Sequence, residues 1–231
     1  MNYHKSWENF INNSKYLKSM LDFIENTRSI CPEKEKVFRF FTCDISRVKY
    51  IILGMDPYPS TYINSENEEV PVATGRAFEV ANIDEFTDKY KQSSLANIFK
   101  ALCYYKFGKK NSMEELREIF KNEKASFINT HYWFDEMERR GVIFLNATLT
   151  TLVGKSGAHI SEWNNFMNEL INYIVENFSC NWLIWGDKAM DRISGFVDKD
   201  NIIYSCHPAS RVKNDFIENN CFKKANKIEW F

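Results

Sequence analysis

The sequence predicts an α/β protein, a three-layer α/β/α arrangement around a central sheet of four parallel strands. Three observations carry this expectation. Four short runs are apolar almost throughout: VKYIILG (48–54), VIFLNA (142–147), NWLIWG (181–186) and NIIYSC (201–206). Apolar character without alternation marks strands buried on both faces. Helical patterns lie between these runs, and strands alternating with helices argue for a parallel sheet covered on both sides. The chain of 231 residues, 44% hydrophobic and 26% charged, is long enough to bury such a core.

The elements follow in order. Residues 5–26 predict an amphipathic helix, because Trp7, Phe10, Ile11, Leu17, Met20, Leu21 and Ile24 fall near helical spacing. Residues 34–42 (KEKVFRFFT) predict a further short helix, and the first strand comes next. The stretch 60–74 (STYINSENEEVPVAT) is polar and holds Pro71, so it reads as a loop. Helical patterns at 92–107 and 112–123 precede the second strand, one at 161–178 the third, and one at 187–194 the fourth. No repeat, low-complexity run or linker divides the sequence, which predicts one domain over 1–231.

Lys and Arg number 30 against 31 Asp and Glu, a net charge of −1. No global basic signal exists, so a nucleic-acid binder of this composition must rely on local patches. Aromatic residues reach 16%, while there are only 8 glycines and 5 prolines, which should stand where the backbone needs them. The cysteines (Cys31, Cys43, Cys103, Cys180, Cys206 and Cys221) form no C-x-x-C pair and show no zinc or iron–sulfur spacing, so they read as reduced, mostly buried thiols. The histidines are too scattered for a metal cluster. The first residues, MNYHKSWENF, lack the apolar segment of a signal peptide, and no uncharged stretch is long enough to span a bilayer. The expectation is a cytoplasmic protein, nuclear in a eukaryotic host, with no membrane partner.

In open parallel sheets ligands bind outside the carboxyl ends of the strands. Those ends carry Gly54-Met55-Asp56-Pro57-Tyr58-Pro59, Asn146, Gly186-Asp187 and Cys206-His207-Pro208-Ala209-Ser210-Arg211. Each polar residue alone has a plainer reading: Asp56 as a turn residue, Asn146 as a backbone cap, His207 as a structural histidine. Together they furnish one crevice with an acid, an amide, an imidazole and aromatic rings, a set able to read a planar heterocycle and promote its departure.

These segments resemble family 1 uracil-DNA glycosylases, over nearly the whole chain. The family's GQDPYH appears as GMDPYP (54–59), GLAFSV as GRAFEV (75–80), and PPSLxNIYKEL as QSSLANIFKAL (92–102). GVLLLNxxLTV appears as GVIFLNATLTT (141–151), followed by the matching His159 and Trp163, LLWG as LIWG (183–186), and HPSPLS as HPASRV (207–212). Six motifs in the correct order on the expected strand ends form a specific signature. The resemblance implies hydrolysis of the N-glycosidic bond of deoxyuridine in DNA, releasing uracil and leaving an abasic site for base excision repair. It implies a monomer without cofactor or metal, acting on single- or double-stranded DNA, with a protein inhibitor as a further partner. Within it, Asp56 orients water and offsets sugar charge, and His207 stabilises the leaving base. Asn146 reads uracil O4 and N3–H, Phe78 stacks on the flipped base, Tyr58 excludes the thymine methyl, and Met55 lends its backbone N–H. Ser93, Ser94, Ser210 and the backbone N–H at Gly186 would hold phosphates, and Arg211 stands where a leucine fills the vacated stack. A viral branch of the family shows GxDPYP with an arginine at that place.

The departures are Met55 for glutamine, Pro59 for histidine, Asp187 for a phosphate-binding serine, and a longer, acidic 60–74 segment. An acid facing a phosphate repels it, so Asp187 is expected to turn away or to pair with a lysine. Two other readings fit the sequence less well. One is a superfamily glycosylase excising another or modified pyrimidine from foreign DNA; the other is a catalytically weak DNA-binding or processivity subunit. Retained Tyr58 and Asn146 argue against the first, intact Asp56 and His207 against the second.

Overall fold

The computed structural model describes residues 1–83, 85, 88, 91–122, 130–210, 216–219 and 221–231. In chain order its elements are α1 (Glu8–Asn13), α2 (Leu17–Asn26), β1 (Ile30–Cys31), β2 (Tyr50–Gly54), β3 (Thr61–Ile63), β4 (Glu69–Pro71), α3 (Ser93–Phe107), α4 (Met113–Asn122) and α5 (Thr130–Arg139). Then come β5 (Val142–Asn146), β6 (Thr151–Leu152), α6 (Ile160–Asn177), β7 (Asn181–Trp185), α7 (Asp187–Ile193), β8 (Ile202–Ser205), α8 (Phe216–Asn219) and α9 (Cys221–Lys224).

The four apolar runs form one parallel sheet, ordered β5-β2-β7-β8. Their side chains divide by parity, as the strand period of two requires. Ile51, Leu53, Ile143, Leu145, Trp182 and Ile184 enter one core with Phe10, Leu17 and the buried face of α6. Ile52, Phe144, Leu183 and Trp185 enter a second with α3, α4, α5 and the C-terminal segment. Both faces are therefore covered, which is why the runs read as continuously apolar. The chain passes from β2 to β5 on one side and then back over β2 to β7 on the other. β2 therefore sits at the reversal of strand order, the place where an open sheet leaves a crevice.

Three local expectations need correction. The single helix over 5–26 is a 3-10 turn (Lys5–Trp7) followed by two helices. Ser14 is extended at ψ 127°, and its hydroxyl accepts from Leu17 N at 3.1 Å, so it ends α1 and caps α2. Residues 34–42 make two 3-10 turns, Lys34–Lys36 and Arg39–Thr42, because Phe38 leaves the helical region between them. The supposed loop at 60–74 contains the hairpin β3–β4, with Thr61 opposite Pro71 and Ile63 opposite Glu69. Asn64 Oδ1 accepts from the N–H groups of Glu66 and Glu68 and closes its turn, and Pro71 sits at a strand end where no ladder donor is needed. All six cysteines are free, and burial pushes the Cys31 thiol to about 11 and those of Cys103, Cys180 and Cys221 to about 12. No described helix is long and apolar enough to cross a membrane.

Candidate active site

At the carboxyl end of the sheet, β2 stops at Gly54, whose partner in register is Asn146 on β5. A Cβ on Gly54 would lie 2.4 Å from Asn146 Oδ1 and 2.9 Å from Ala77 Cβ, so only glycine leaves the amide its place. Asn146 is 4% exposed, and its amide has no hydrogen-bond partner among the described residues. Asn146 lines the cleft, so an amide that no described protein group satisfies is open to a ligand there. The next peptides are locked: Ala147 N donates to Gly54 O at 2.9 Å and Thr148 N to Met55 O at 2.8 Å.

Asp56 follows two residues beyond Gly54. Its Oδ2 accepts from Ser156 Oγ at 2.6 Å and from Gly157 N at 2.8 Å. His207 approaches from the β8 end. Its Nδ1 accepts from Ala209 N at 3.1 Å, which in the neutral ring puts the proton on Nε2 and makes that nitrogen a donor. Burial, with Lys188 nearby, lowers its pKa below the ordinary value, so the ring is neutral at physiological pH. Gly186, at φ +104°, lets this ring close in; a Cβ there would stand 3.0 Å from His207 Cβ.

Phe78 holds a left-handed backbone at φ +68°, an unfavourable state for a bulky residue that persists only where the surroundings enforce it. Ala77 N donates to Phe144 O at 3.1 Å, tying the turn to the sheet. Beside it, Arg76 is buried and binds Glu79, Asp135 and Glu138. Burial alone would lower its pKa, but Glu138, Glu79 and Asp135 outweigh that and raise it, so the guanidinium stays charged. The Phe78 ring lies 5.1 Å from that of Trp185 and 6.4 Å from that of His207, centroid to centroid. Burial pushes the Tyr58 phenol well up, so it is neutral.

Asp56, Tyr58, Phe78, Ser94, Asn146 and His207 line one cleft of about 190 Å³. The sheet thus brings together residues up to 151 positions apart in the chain (Asp56 and His207). Met55 also borders this cleft. Ser94 is buried in its wall, whereas Ser93, one residue earlier on α3, and Ser210 are exposed. Gly186 differs from expectation: its N–H is committed to Ser205 O at 2.8 Å, so it has no donor for a phosphate. Asp187 does turn aside, but it accepts from the Tyr204 hydroxyl rather than pairing with a lysine. Arg211 lies outside the described residues. Sequence reasoning missed Ser156, Gly157 and Arg76. The available signals were Gly154 and Gly157 close together in a glycine-poor chain, and Arg76 with Glu79 three residues on in the segment 73–80.

Solved structures of uracil-DNA glycosylases share this fold of a doubly covered parallel sheet. Curated relatives agree. The chain is 28% identical to the uracil-DNA glycosylase of Francisella tularensis subsp. novicida over 247 aligned positions, covering 97% of this chain and 98% of the relative. It is 29% identical to that of Buchnera aphidicola (96% and 91% covered) and 28% identical to that of equine herpesvirus 2 (89% and 72% covered). Among solved structures, mimivirus uracil-DNA glycosylase superposes with a TM-score of 0.70 at 24% identity, covering 97% of this chain and 83% of that one. The UNG of Nitratifractor salsuginis gives a TM-score of 0.72 at 19% identity, covering 97% and 91%. A variant of the mimivirus protein has been solved in complex with UGI. No family model matches the chain.

Proposed function

We propose that this protein is a monofunctional uracil-DNA glycosylase: it hydrolyses the N-glycosidic bond of deoxyuridine in DNA, releases uracil and leaves an abasic site. The observation that carries this reading is the convergence of Asp56, Phe78, Asn146 and His207 on one cleft of about 190 Å³. Duplex DNA buries the reacting bond, so the nucleotide must be turned out of the stack to reach that cleft.

In the cleft the extruded ring stacks on Phe78. The Asn146 amide donates to O4 and accepts from N3–H, a pattern that cytosine inverts, so a fixed amide rejects it. The Tyr58 ring stands against C5 and excludes a methyl group. As the C1′–N1 bond stretches, its electron pair moves into the base and negative charge grows on O2. The neutral His207 ring, with Nδ1 held by Ala209 N, donates from Nε2 to that oxygen. Such an oriented donor typically contributes about 3–4 kcal/mol. Asp56 faces the sugar, offsets its cationic charge and orients the water whose oxygen bonds to C1′. The water's proton passes to the carboxylate, and the departing base takes a proton from solvent. Positioning and proton acceptance of this kind are worth roughly 10²–10⁴-fold. Ser93 and Ser210, both exposed, would meet phosphates. The DNA partner is single- or double-stranded, and a protein inhibitor is a further partner.

Oligonucleotides carrying uracil, thymine, cytosine or a modified pyrimidine, scored for abasic sites, test this reading. Abasic sites at uracil alone are expected. Release of a different pyrimidine, or of none, would overturn it.

A further inference from the structure

None of the motifs that carry the resemblance includes residues 152–158, yet this loop makes both hydrogen bonds to the Asp56 carboxylate. We propose that Ser156 is a positioning residue for Asp56, the donor that fixes the carboxylate's orientation in the cleft. The inference rests on the uracil-excision reading.

The peptide around Asp56 offers its carboxylate few donors. An aspartate in a turn commonly takes a backbone N–H two or three residues ahead. Here Pro57 and Pro59 both lack one, leaving only that of Tyr58 within the motif. The carboxylate turns instead to the loop after β6. Ser156 Oγ and Gly157 N converge on one oxygen, Oδ2, at 2.6 and 2.8 Å. The other oxygen, Oδ1, has no protein partner among the described residues and is left to face water and the sugar.

The loop that supplies these donors is itself fixed. Gly154 N donates to Pro59 O at 2.8 Å, so the loop is pinned to the far end of the same motif. Thr151 Oγ1 donates to Lys155 O at 2.6 Å and accepts from Ala158 N at 3.2 Å. Its neighbour Thr150 bridges His159 Nδ1 at 2.9 Å and Trp163 Nε1 at 2.7 Å. Gly154 and Gly157 take φ of +76° and +69°, which L side chains rarely adopt. The β1–β6 ladder, Ile30 opposite Leu152 and Cys31 opposite Thr151, holds the start of the loop. Ser156 is thus an exposed side chain on a rigid support. Its hydroxyl reaches the carboxylate that Pro59, standing where the family has histidine, cannot assist with a donor of its own.

The test uses the full chain and a uracil-containing oligonucleotide, single-stranded and duplex, under single-turnover conditions. Ser156→Ala is expected to slow cleavage about tenfold to a hundredfold, the range for a misplaced catalytic group. Thermal midpoint and affinity for uracil-free DNA should not change, and Ser156→Thr, which restores a hydroxyl, should recover most of the rate. In an Asp56→Asn background Ser156→Ala should cost nothing further, since the two act as one unit. A Ser156→Ala protein as fast as the parent, or an equal loss with and without Asp56, would overturn the positioning role while uracil excision stands. A parent protein that releases no uracil would overturn both.

Discussion

The floor and the rim of the cleft are built by different means. The floor is Gly54 and Asn146, adjacent residues on hydrogen-bonded strands whose positions follow from sheet register. The rim is Asp56 and His207, on loops, each held by a few polar contacts: Ser156 and Gly157 for the carboxylate, Ala209 N for the imidazole. On the proposed function, base selection would rest on the sheet and bond cleavage on groups that loops deliver. The lesson is that selection and rate should be separable by mutation, floor from rim.

Four changes sharpen or break that contrast, from the largest effect to the smallest. Asp56→Asn should reduce single-turnover cleavage by roughly 10²–10⁴-fold while leaving DNA affinity intact, measured by rate and by filter binding. His207→Leu should reduce it by about 10²–10³-fold through loss of the Nε2 donor, again with binding retained. Gly54→Ala acts on the floor. Its Cβ meets Asn146 Oδ1 at 2.4 Å, so the amide must move, with an expected stability loss of about 1–3 kcal/mol by urea unfolding and a raised share of cytosine release. If Gly54→Ala changed only the rate and not the base preference, the separation of floor from rim would fail.

The smallest effect is one of pH. Burial lowers the pKa of both His207 and His159 below the ordinary histidine value. As pH falls below that value, the unfolded chain takes up protons that the folded chain resists, so the unfolded state gains. Stability should therefore decline from about pH 7 towards pH 5.5, a window set by the direction of these shifts. The His207→Leu protein should show a shallower decline in urea unfolding over the same range. An unchanged slope would mean that His207 does not resist protonation.

Much of the fold was legible because burial on two faces leaves a mark on sequence. All four strands lie within the predicted runs, and α3, α6 and α7 fall within a residue of their expected ends. The failures share a cause. Apolar spacing across Trp7, Phe10, Leu17 and Met20 looks helical on either side of Ser14, and only the Ser14 side chain's local bonds reveal the break. No residue of the β3–β4 hairpin is fully buried, so no apolar face marked it in the sequence. Helix α5, with Trp133, Phe134 and Met137 buried, went unpredicted although its spacing is helical. At the site, the glycines at 54 and 186 marked close approaches without saying to what.

By itself the sequence determined the four strands of the central sheet, their order along the chain and the residue types at their carboxyl ends. Those follow from local chain preference and from whether a residue meets water. Tertiary structure alone decided that Asn146 lies beside Gly54 and that Arg76 is buried among three carboxylates. It also decided that Ser156, 100 positions away, holds Asp56. Such contacts depend on register and loop closure, which bring distant residues together and leave no periodic trace in the order of the amino acids.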